Sequence, residues 1–289
     1  MNLNLQINNL LRKFESGNKL RNYKELEKIF KKNKDNNLLR YNLAVIQQKL
    51  NLNKEAKLNY NYLIKVEKNV KAMINLYNIY FLEEKYYDAL KVIEDILKIQ
   101  QFDNVHKDKA FANLKLNNIK ISREICDYYL GKNNKDIVCL NILGQCFLAE
   151  GSFDSSIKIF KNVLSIDPNN LSALNSLGRI YHEKRDAEKA EIFFLKALRI
   201  KGDSYHIINN IAGFYREEGK SNKAIKYYSK AITLNPNNPY IYNNLSKTYF
   251  DLNKHEDAKK NSFKALELKP NDGDVEKTLS FIYLKDHDF

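Results

Sequence analysis

The sequence predicts an all-α fold, a right-handed superhelical solenoid of antiparallel helical hairpins. The main observation is a 34-residue repeat that recurs four times over residues 137–272. Small residues mark one position of each repeat, at Gly144, Gly178, Ala212 and Ser246, and an aromatic residue follows each by three positions. A unit of this length cannot bury its apolar face alone and must pack against its neighbours. No segment alternates usefully with period two, so we expect no strands.

Proline and glycine positions divide each repeat into two helices. Pro168, Pro236 and Pro270 fall in the same place of successive repeats, and Gly202 takes that place in the remaining one. Proline cannot continue a helix, so each of these residues marks the turn between one hairpin and the next. The segments between the turns have apolar residues spaced by three and four, which is typical of amphipathic helices.

The first half of the chain carries the same rhythm more faintly. Two segments keep the register, through Leu43, Ala44, Ala56, Tyr60 and Leu63, and then through Leu76, Tyr80, Ala89, Ile93 and Ile96. Residues 103–136 fit less well, because Lys109 and Asn113 stand where apolar residues belong, and residues 3–35 fit least. We therefore predict about four divergent hairpins over 1–136 and four well-formed hairpins over 137–272. Residues 273–289 are predicted to form a terminal helix, either half a repeat or the start of a continuing array.

The pattern of small and aromatic residues resembles the tetratricopeptide repeat family. The repeat that begins at Leu171 carries the resemblance through Leu174, Leu177, Gly178, Tyr181, Ala190, Phe194 and Ala197. The tryptophan usual in the family is replaced by Leu140, Leu174, Ile208 and Tyr242. The resemblance covers nearly the whole chain but is specific only after about Ile137. It implies stacked helical hairpins that bind protein or peptide segments, in a chain similar to the N-terminal repeat region of larger bacterial proteins.

Charge and composition limit the class of partner and the compartment. The formal net charge of +13 favours acidic partners. No arginine stripe alternates with aromatic residues, so we do not expect nucleic-acid binding, which would show strongly salt-dependent affinity. The three cysteines are an odd number without paired spacing, as in a reducing compartment. No secretory signal and no membrane-spanning apolar run is evident, so we expect a cytoplasmic protein of unknown oligomeric state.

No pattern of catalytic, metal-binding or cofactor-binding residues is evident in the sequence. The five histidines are scattered without metal-site spacing, and no glycine-rich phosphate loop occurs. We therefore predict no enzyme activity in this segment, no catalytic residues, no metal and no cofactor.

The first helix of each hairpin leaves a polar stripe, offset by three and four residues from the core positions. In the tetratricopeptide family this stripe lines the concave groove, which implies partner-binding residues here at Asn141, Asn175, Arg179, His206, Asn209, Asn210, Arg216, Tyr240, Asn243, Asn244 and Lys247. An amide both donates and accepts hydrogen bonds, so a row of asparagines suits an extended peptide backbone. The row is similar to the asparagine ladder of O-linked N-acetylglucosamine transferases, with Asn210 and Asn244 at matching positions and Asn141 and Asn175 displaced by one. The competing interpretation is that an asparagine-rich composition places these amides on a solvated face.

The function predicted from these observations is a non-catalytic scaffold that binds a protein or an extended peptide, with a bias toward acidic partners. The alternative is the substrate-recognition region of a larger glycosyltransferase or sulfotransferase, with its catalytic domain after Phe289. A carboxylate clamp of the kind found in chaperone cofactors is not expected. Arg179, Lys247 and Lys277 supply the charge for it, but the asparagine that should accompany them is missing.

Overall fold

A computed structural model of the chain describes residues 9, 10, 12, 14, 17 and 19–287, and these residues form helices and no strand. The predicted all-α class is confirmed. The first helix of the predicted opening hairpin lies largely outside the described residues, as do residues 288 and 289 of the predicted terminal helix. The chain divides into two compact units, which we call unit 1 (Met1–Asn134) and unit 2 (Lys135–Phe289).

Unit 1 consists of one helix followed by three helical hairpins within its described residues. Consecutive helices pack against each other, and α2 also contacts α4. The helices are α1 Lys19–Lys32, α2 Asn37–Lys49, α3 Asn53–Glu67, α4 Val70–Leu82, α5 Tyr86–Ile99, α6 Asp103–Lys115 and α7 Ile119–Lys132.

Unit 2 contains four hairpins and a further helix. The first helices of its hairpins contact one another in sequence, from α8 to α10, α12, α14 and α16, and so form a continuous layer. The helices are α8 Ile137–Ala149, α9 Phe153–Ile166, α10 Leu171–Glu183, α11 Ala187–Ile200, α12 Tyr205–Glu217, α13 Ser221–Leu234, α14 Pro239–Asp251, α15 His255–Leu268 and α16 Gly273–His287.

Asparagine side chains begin several first helices in both units. Asn36, Asn69 and Asn170 each precede a first helix, and each Oδ1 accepts the backbone N–H three residues later at 2.9–3.1 Å. These bonds satisfy amide groups that a helix start leaves without partners. Part of the high asparagine content is therefore explained by helix capping.

Every hairpin closes its first helix in the same way. One residue of the turn adopts a left-handed conformation, at Asn51, Glu84, Asn117, Gly151, Arg185, Gly219 and Asn253. The N–H of the following residue donates back into the helix, as from Ser152 to the Phe147 carbonyl at 2.8 Å. This is the Schellman arrangement, which satisfies a carbonyl left open at the helix end. It sets the antiparallel turn whether or not glycine occupies the left-handed position.

The core of several hairpins pairs a small residue on the first helix with a large one on the second. A Cβ added to Gly178 would lie 2.7 Å from Cδ1 of Phe194, and one added to Gly144 would lie 2.7 Å from Cζ of Phe160. In unit 1, Ala44 and Tyr60 occupy the equivalent positions, and both are fully buried. Small residues thus let the helices approach until the ring fills the space between them.

The repeat period differs between the units. The eighth position of the first helices recurs every 33 residues in unit 1, at Ala44, Tyr77 and Ala110, but every 34 residues after Gly144. The connections between hairpins have two and three residues after α3 and α5, and four residues throughout unit 2. The shorter connections explain why the sequence shows a blurred rhythm before residue 137.

Candidate functional site

The candidate site is the exposed surface of the first-helix layer of unit 2, which we call the groove. Equivalent residues of successive hairpins are 34 apart, yet the side chains that meet across neighbouring first helices are 35 apart. Counted from the first residue of each helix, the fifth position of one first helix therefore faces the sixth position of the next. In the same way, the twelfth position faces the thirteenth. We call each such pair a rung.

Two rungs consist of paired asparagine amides. Asn210 Nδ2 donates to Asn175 Oδ1 at 2.9 Å, and Asn244 Nδ2 donates to Asn209 Oδ1 at 3.3 Å. All four side chains are half-buried. Each rung engages one N–H and one oxygen, so three N–H groups and one oxygen per rung have no partner among the described residues. One hydrogen bond thus holds the two amides of each rung together, and the remaining donors and acceptor are available to a partner.

Two further rungs place a basic side chain beside a carboxylate. Arg216 Nε donates to Asp251 Oδ2 at 2.7 Å. The His182 ring nitrogen Nε2 lies 3.6 Å from a Glu217 carboxylate oxygen and 3.7 Å from one of Glu218. Carboxylates of the following hairpin therefore face Arg216 and the His182 ring.

A cavity of about 210 Å³ lies over the central rungs. It brings together five of the eleven predicted residues, namely Arg179, Asn209, Asn210, Arg216 and Asn244. Tyr228 also lines the cavity, and burial raises the pKa of its hydroxyl above its ordinary value. The hydroxyl therefore stays protonated at neutral pH. The cavity walls offer amides, a hydroxyl and the exposed Arg179 guanidinium, which suit a polar extended ligand.

The outer rung positions hold Asn141 and Asn243. Both side-chain Oδ1 atoms are buried without a hydrogen-bond partner among the described residues. Asn243 is only 5% exposed, so it is less open to a partner than the other groove asparagines. A buried acceptor without a partner costs roughly 1–3 kcal/mol.

Three further predicted residues do not line this cavity. His206 is exposed at the start of α12, with its ring centroid 3.8 Å from that of Tyr205. Tyr240 is half exposed, and its hydroxyl accepts a hydrogen bond from Lys269 Nζ at 3.1 Å. Lys247 lines a second cavity, farther along the groove.

The sequence did not predict the charged rungs, nor the second cavity, which Phe250 and Phe281 line together. The signal for the rungs was present, because His182 and Glu217 are separated by 35 residues, as are Arg216 and Asp251. The 34-residue repeat does not predict these pairs, because their members are separated by one residue more than the repeat length.

Among the residues that the structure describes, no three histidine, cysteine or carboxylate side chains gather as metal ligands. Within the same residues, no helix combines the length and the apolar character that crossing a membrane requires.

Comparison with known sequences identifies the repeats directly. Profiles described as tetratricopeptide repeat match residues 147–206 and 239–272, and one described as TPR repeat matches residues 214–253. No curated protein matches the chain significantly in sequence.

Several solved structures are similar to the chain. A tetratricopeptide repeat protein from Parabacteroides merdae superposes with a TM-score of 0.65 at 16% identity, covering 90% of this chain and 98% of that one. YrrB, described as a TPR protein with an unusual peptide-binding site, has a TM-score of 0.45 at 22% identity, covering 63% of this chain and 95% of that one. MamA has a TM-score of 0.46 at 18% identity, with 58% and 91% covered. The repeat profiles show that residues 147–206 and 214–272 of this chain are repeats of the tetratricopeptide repeat family.

Proposed function

We propose that the chain is a non-catalytic scaffold that binds a protein segment, in extended conformation, along the groove of unit 2. The observation that carries this proposal is the pair of amide rungs at the centre of the groove. Asn175 and Asn210, and likewise Asn209 and Asn244, hold each other in place and keep further donors and acceptors available. This arrangement is complementary to a peptide backbone, which alternates N–H and carbonyl groups.

The outer asparagines, Asn141 and Asn243, contribute less directly. Their Oδ1 atoms are buried and have no hydrogen-bond partner among the described residues, so a peptide N–H reaches them only if these side chains turn outward. We infer that recognition depends mainly on the backbone of the partner, and only secondarily on its side chains.

The charge preference of the groove rests on few residues. Arg216 is paired with Asp251, and His182 faces the carboxylates of both Glu217 and Glu218, so these positions contribute no net positive charge. Arg179 and Lys247 form no ion pair among the described residues. We propose that these two residues, together with the net charge of +13, favour acidic segments.

The test is selection of random peptides displayed on phage against the immobilised full chain. Replacing Asn209, Asn210, Asn243 and Asn244 together with alanine should weaken binding of the selected peptides severalfold. Helicity measured by circular dichroism should stay unchanged. The matched control replaces Asn222 and Asn237, two exposed asparagines of unit 2 outside the rungs, and should bind like the natural chain. Equal binding by both variants, or the absence of any selected peptide, would overturn the proposal.

A further inference from the structure

The second cavity of unit 2 differs in character from the amide rungs. It has a volume of about 310 Å³ and lies among α12, α14 and α16. Phe250 and Phe281 line it together with the buried Thr278. Phe281 is 50% exposed, although a phenylalanine ring gains free energy when it leaves water.

The residues at equivalent positions of successive first helices explain why this cavity differs from the rungs. The twelfth position of the first helices holds Leu148 in α8, His182 in α10, Arg216 in α12 and Phe250 in α14. The ninth position holds Arg179 in α10, Gly213 in α12, Lys247 in α14 and Phe281 in α16. Aromatic rings therefore take these positions at Phe250 and Phe281. The run of charged rungs stops after Arg216 and Asp251, and an apolar cleft takes its place.

The volume and shape of the cleft suit one side chain. About 310 Å³ is at the lower end of ligand-binding clefts, which span roughly 300–1,000 Å³. A ring inserted beside Phe250 and Phe281 would bury apolar surface of both and make edge or offset ring contacts. The cleft adjoins the rungs through Arg216, which lines both cavities. A peptide that follows the rungs therefore reaches it without a break.

The charges around the cleft favour an acidic neighbour of that side chain. Asp251 neutralises Arg216, with 2.7 Å between Nε and Oδ2. Lys247 and Lys277 line the same cleft and form no ion pair among the described residues. Asp274 is the other carboxylate in the lining, so cations exceed carboxylates by one.

We propose that this cleft anchors one aromatic side chain of the bound peptide, and that Lys247 and Lys277 bind an acidic side chain next to it. This inference rests on the proposed function, because the amide rungs position the peptide. It adds a sequence preference that backbone recognition alone would not produce.

The probe is the same phage-displayed library of random peptides, selected on the full chain. The selected sequences should share an aromatic residue with an aspartate or glutamate beside it. Affinity of one such synthetic peptide, measured by fluorescence anisotropy, should fall about tenfold in Phe281→Ser, as expected when a buried ring contact is lost. Phe263→Ser is the matched control, because Phe263 is 51% exposed on α15 and lies outside the cleft. Its affinity should stay within about twofold, well inside a tenfold effect.

A charge reversal tests the second half of the proposal. Lys277 is exposed, so Lys277→Glu leaves the core unchanged. This variant should weaken binding of the aromatic–acidic peptide and strengthen binding of the same peptide with lysine in place of the acidic residue. Lys260→Glu on the exposed surface of α15 should do neither.

The outcomes separate this inference from the proposed function. Selected peptides that depend on the rung asparagines, but share no aromatic–acidic pair and bind Phe281→Ser normally, would overturn the anchor and leave the scaffold proposal standing. Selection of no peptide at all would overturn both. An unchanged preference in Lys277→Glu would overturn the acidic recognition, even if the aromatic anchor is found.

Discussion

Units 1 and 2 use the same position of the first helix for different purposes. In unit 1, Asn75 donates hydrogen bonds to the hydroxyl groups of both Tyr41 and Tyr60, each at 3.1 Å. In unit 2, Asn210 has the equivalent position in α12 and donates to Asn175. Both N–H groups of the unit 1 amide are engaged within the protein, whereas the unit 2 amide keeps one N–H and its oxygen available. The comparison shows that the residue type alone does not define a binding surface, because its neighbours decide what remains for a partner.

A second pair of positions makes the same contrast. The sixth position of α6 in unit 1 is Asp108, which accepts a hydrogen bond from the Tyr77 hydroxyl at 2.8 Å. The corresponding residue of α14 in unit 2 is Asn244, in an open amide rung. In unit 1, tyrosine hydroxyls satisfy the polar groups of the first helices. The rung positions of unit 2 hold no tyrosine, and Asn209, Asn210 and Asn244 line the cavity.

The largest expected effect concerns the packing that both units share. Gly178→Val would place methyl groups on the Phe194 ring, because a Cβ alone already lies 2.7 Å from Cδ1. Overpacking of this kind costs roughly 1–3 kcal/mol, so the free energy of unfolding should fall by about 2–3 kcal/mol. Phe194→Leu in the same chain should recover about 1 kcal/mol of it, since it makes room for the new side chain. Urea denaturation followed by circular dichroism measures both; additive effects would contradict the paired packing.

The next effect distinguishes Asn75 of unit 1 from the rung asparagine Asn210 of unit 2. Asn75→Ala removes two hydrogen bonds that hold tyrosine hydroxyls, and should lower the free energy of unfolding by about 1–2 kcal/mol. Asn210→Ala removes one bond on an accessible surface, and should cost less than about 1 kcal/mol. The same urea experiment compares them. A larger loss for Asn210→Ala would mean that the unit 2 rungs serve stability rather than binding.

A smaller effect depends on pH and is confined to unit 1. Burial raises the pKa of the Asp108 carboxyl above 3.8, although the bond from Tyr77 acts in the opposite direction. The protonated form is therefore favoured by folding, and the stability it contributes is lost as the pH rises from 3.8 through the raised pKa. The urea midpoint of Asp108→Asn should equal that of the natural chain at pH below 3.8 and should exceed it at neutral pH. A difference that does not vary with pH would contradict this assignment.

Much of the fold was predictable from the sequence, because the small residues and the large residues they face recur at a fixed spacing. Gly178 and Phe194 indicate helix contact by size alone, and the structure confirms that their side-chain positions meet. Asn113 was harder to interpret, since it occupies a position that is aromatic in unit 2. It is buried, donates to the Lys109 carbonyl at 2.9 Å and accepts from Asn118 at 3.1 Å. A locally satisfied amide can thus replace a ring without a polar group losing its partners.

The candidate site was predictable as a surface but not as a set of contacts. The repeat aligns Asn175 with Asn209, yet the hydrogen bond joins Asn175 to Asn210 because neighbouring first helices meet one residue out of register. The same offset pairs Arg216 with Asp251 and removes much of the basic character that the sequence suggested for this position. The burial of Asn243 also depends on packing against the next helix, which the pattern of one hairpin does not contain.

The central claim is that unit 2 recognises the backbone of an extended peptide through its rung amides. The most direct measurement compares N-methylated and alanine-substituted versions of one selected peptide by fluorescence anisotropy. N-methylation removes a backbone N–H without changing the side chain, so at alternate positions it should weaken binding severalfold where alanine has little effect. That loss should disappear in the chain with alanine at Asn209, Asn210, Asn243 and Asn244, while the Asn222 and Asn237 control should retain it. Binding that tolerates N-methylation at every position would contradict backbone recognition by the groove.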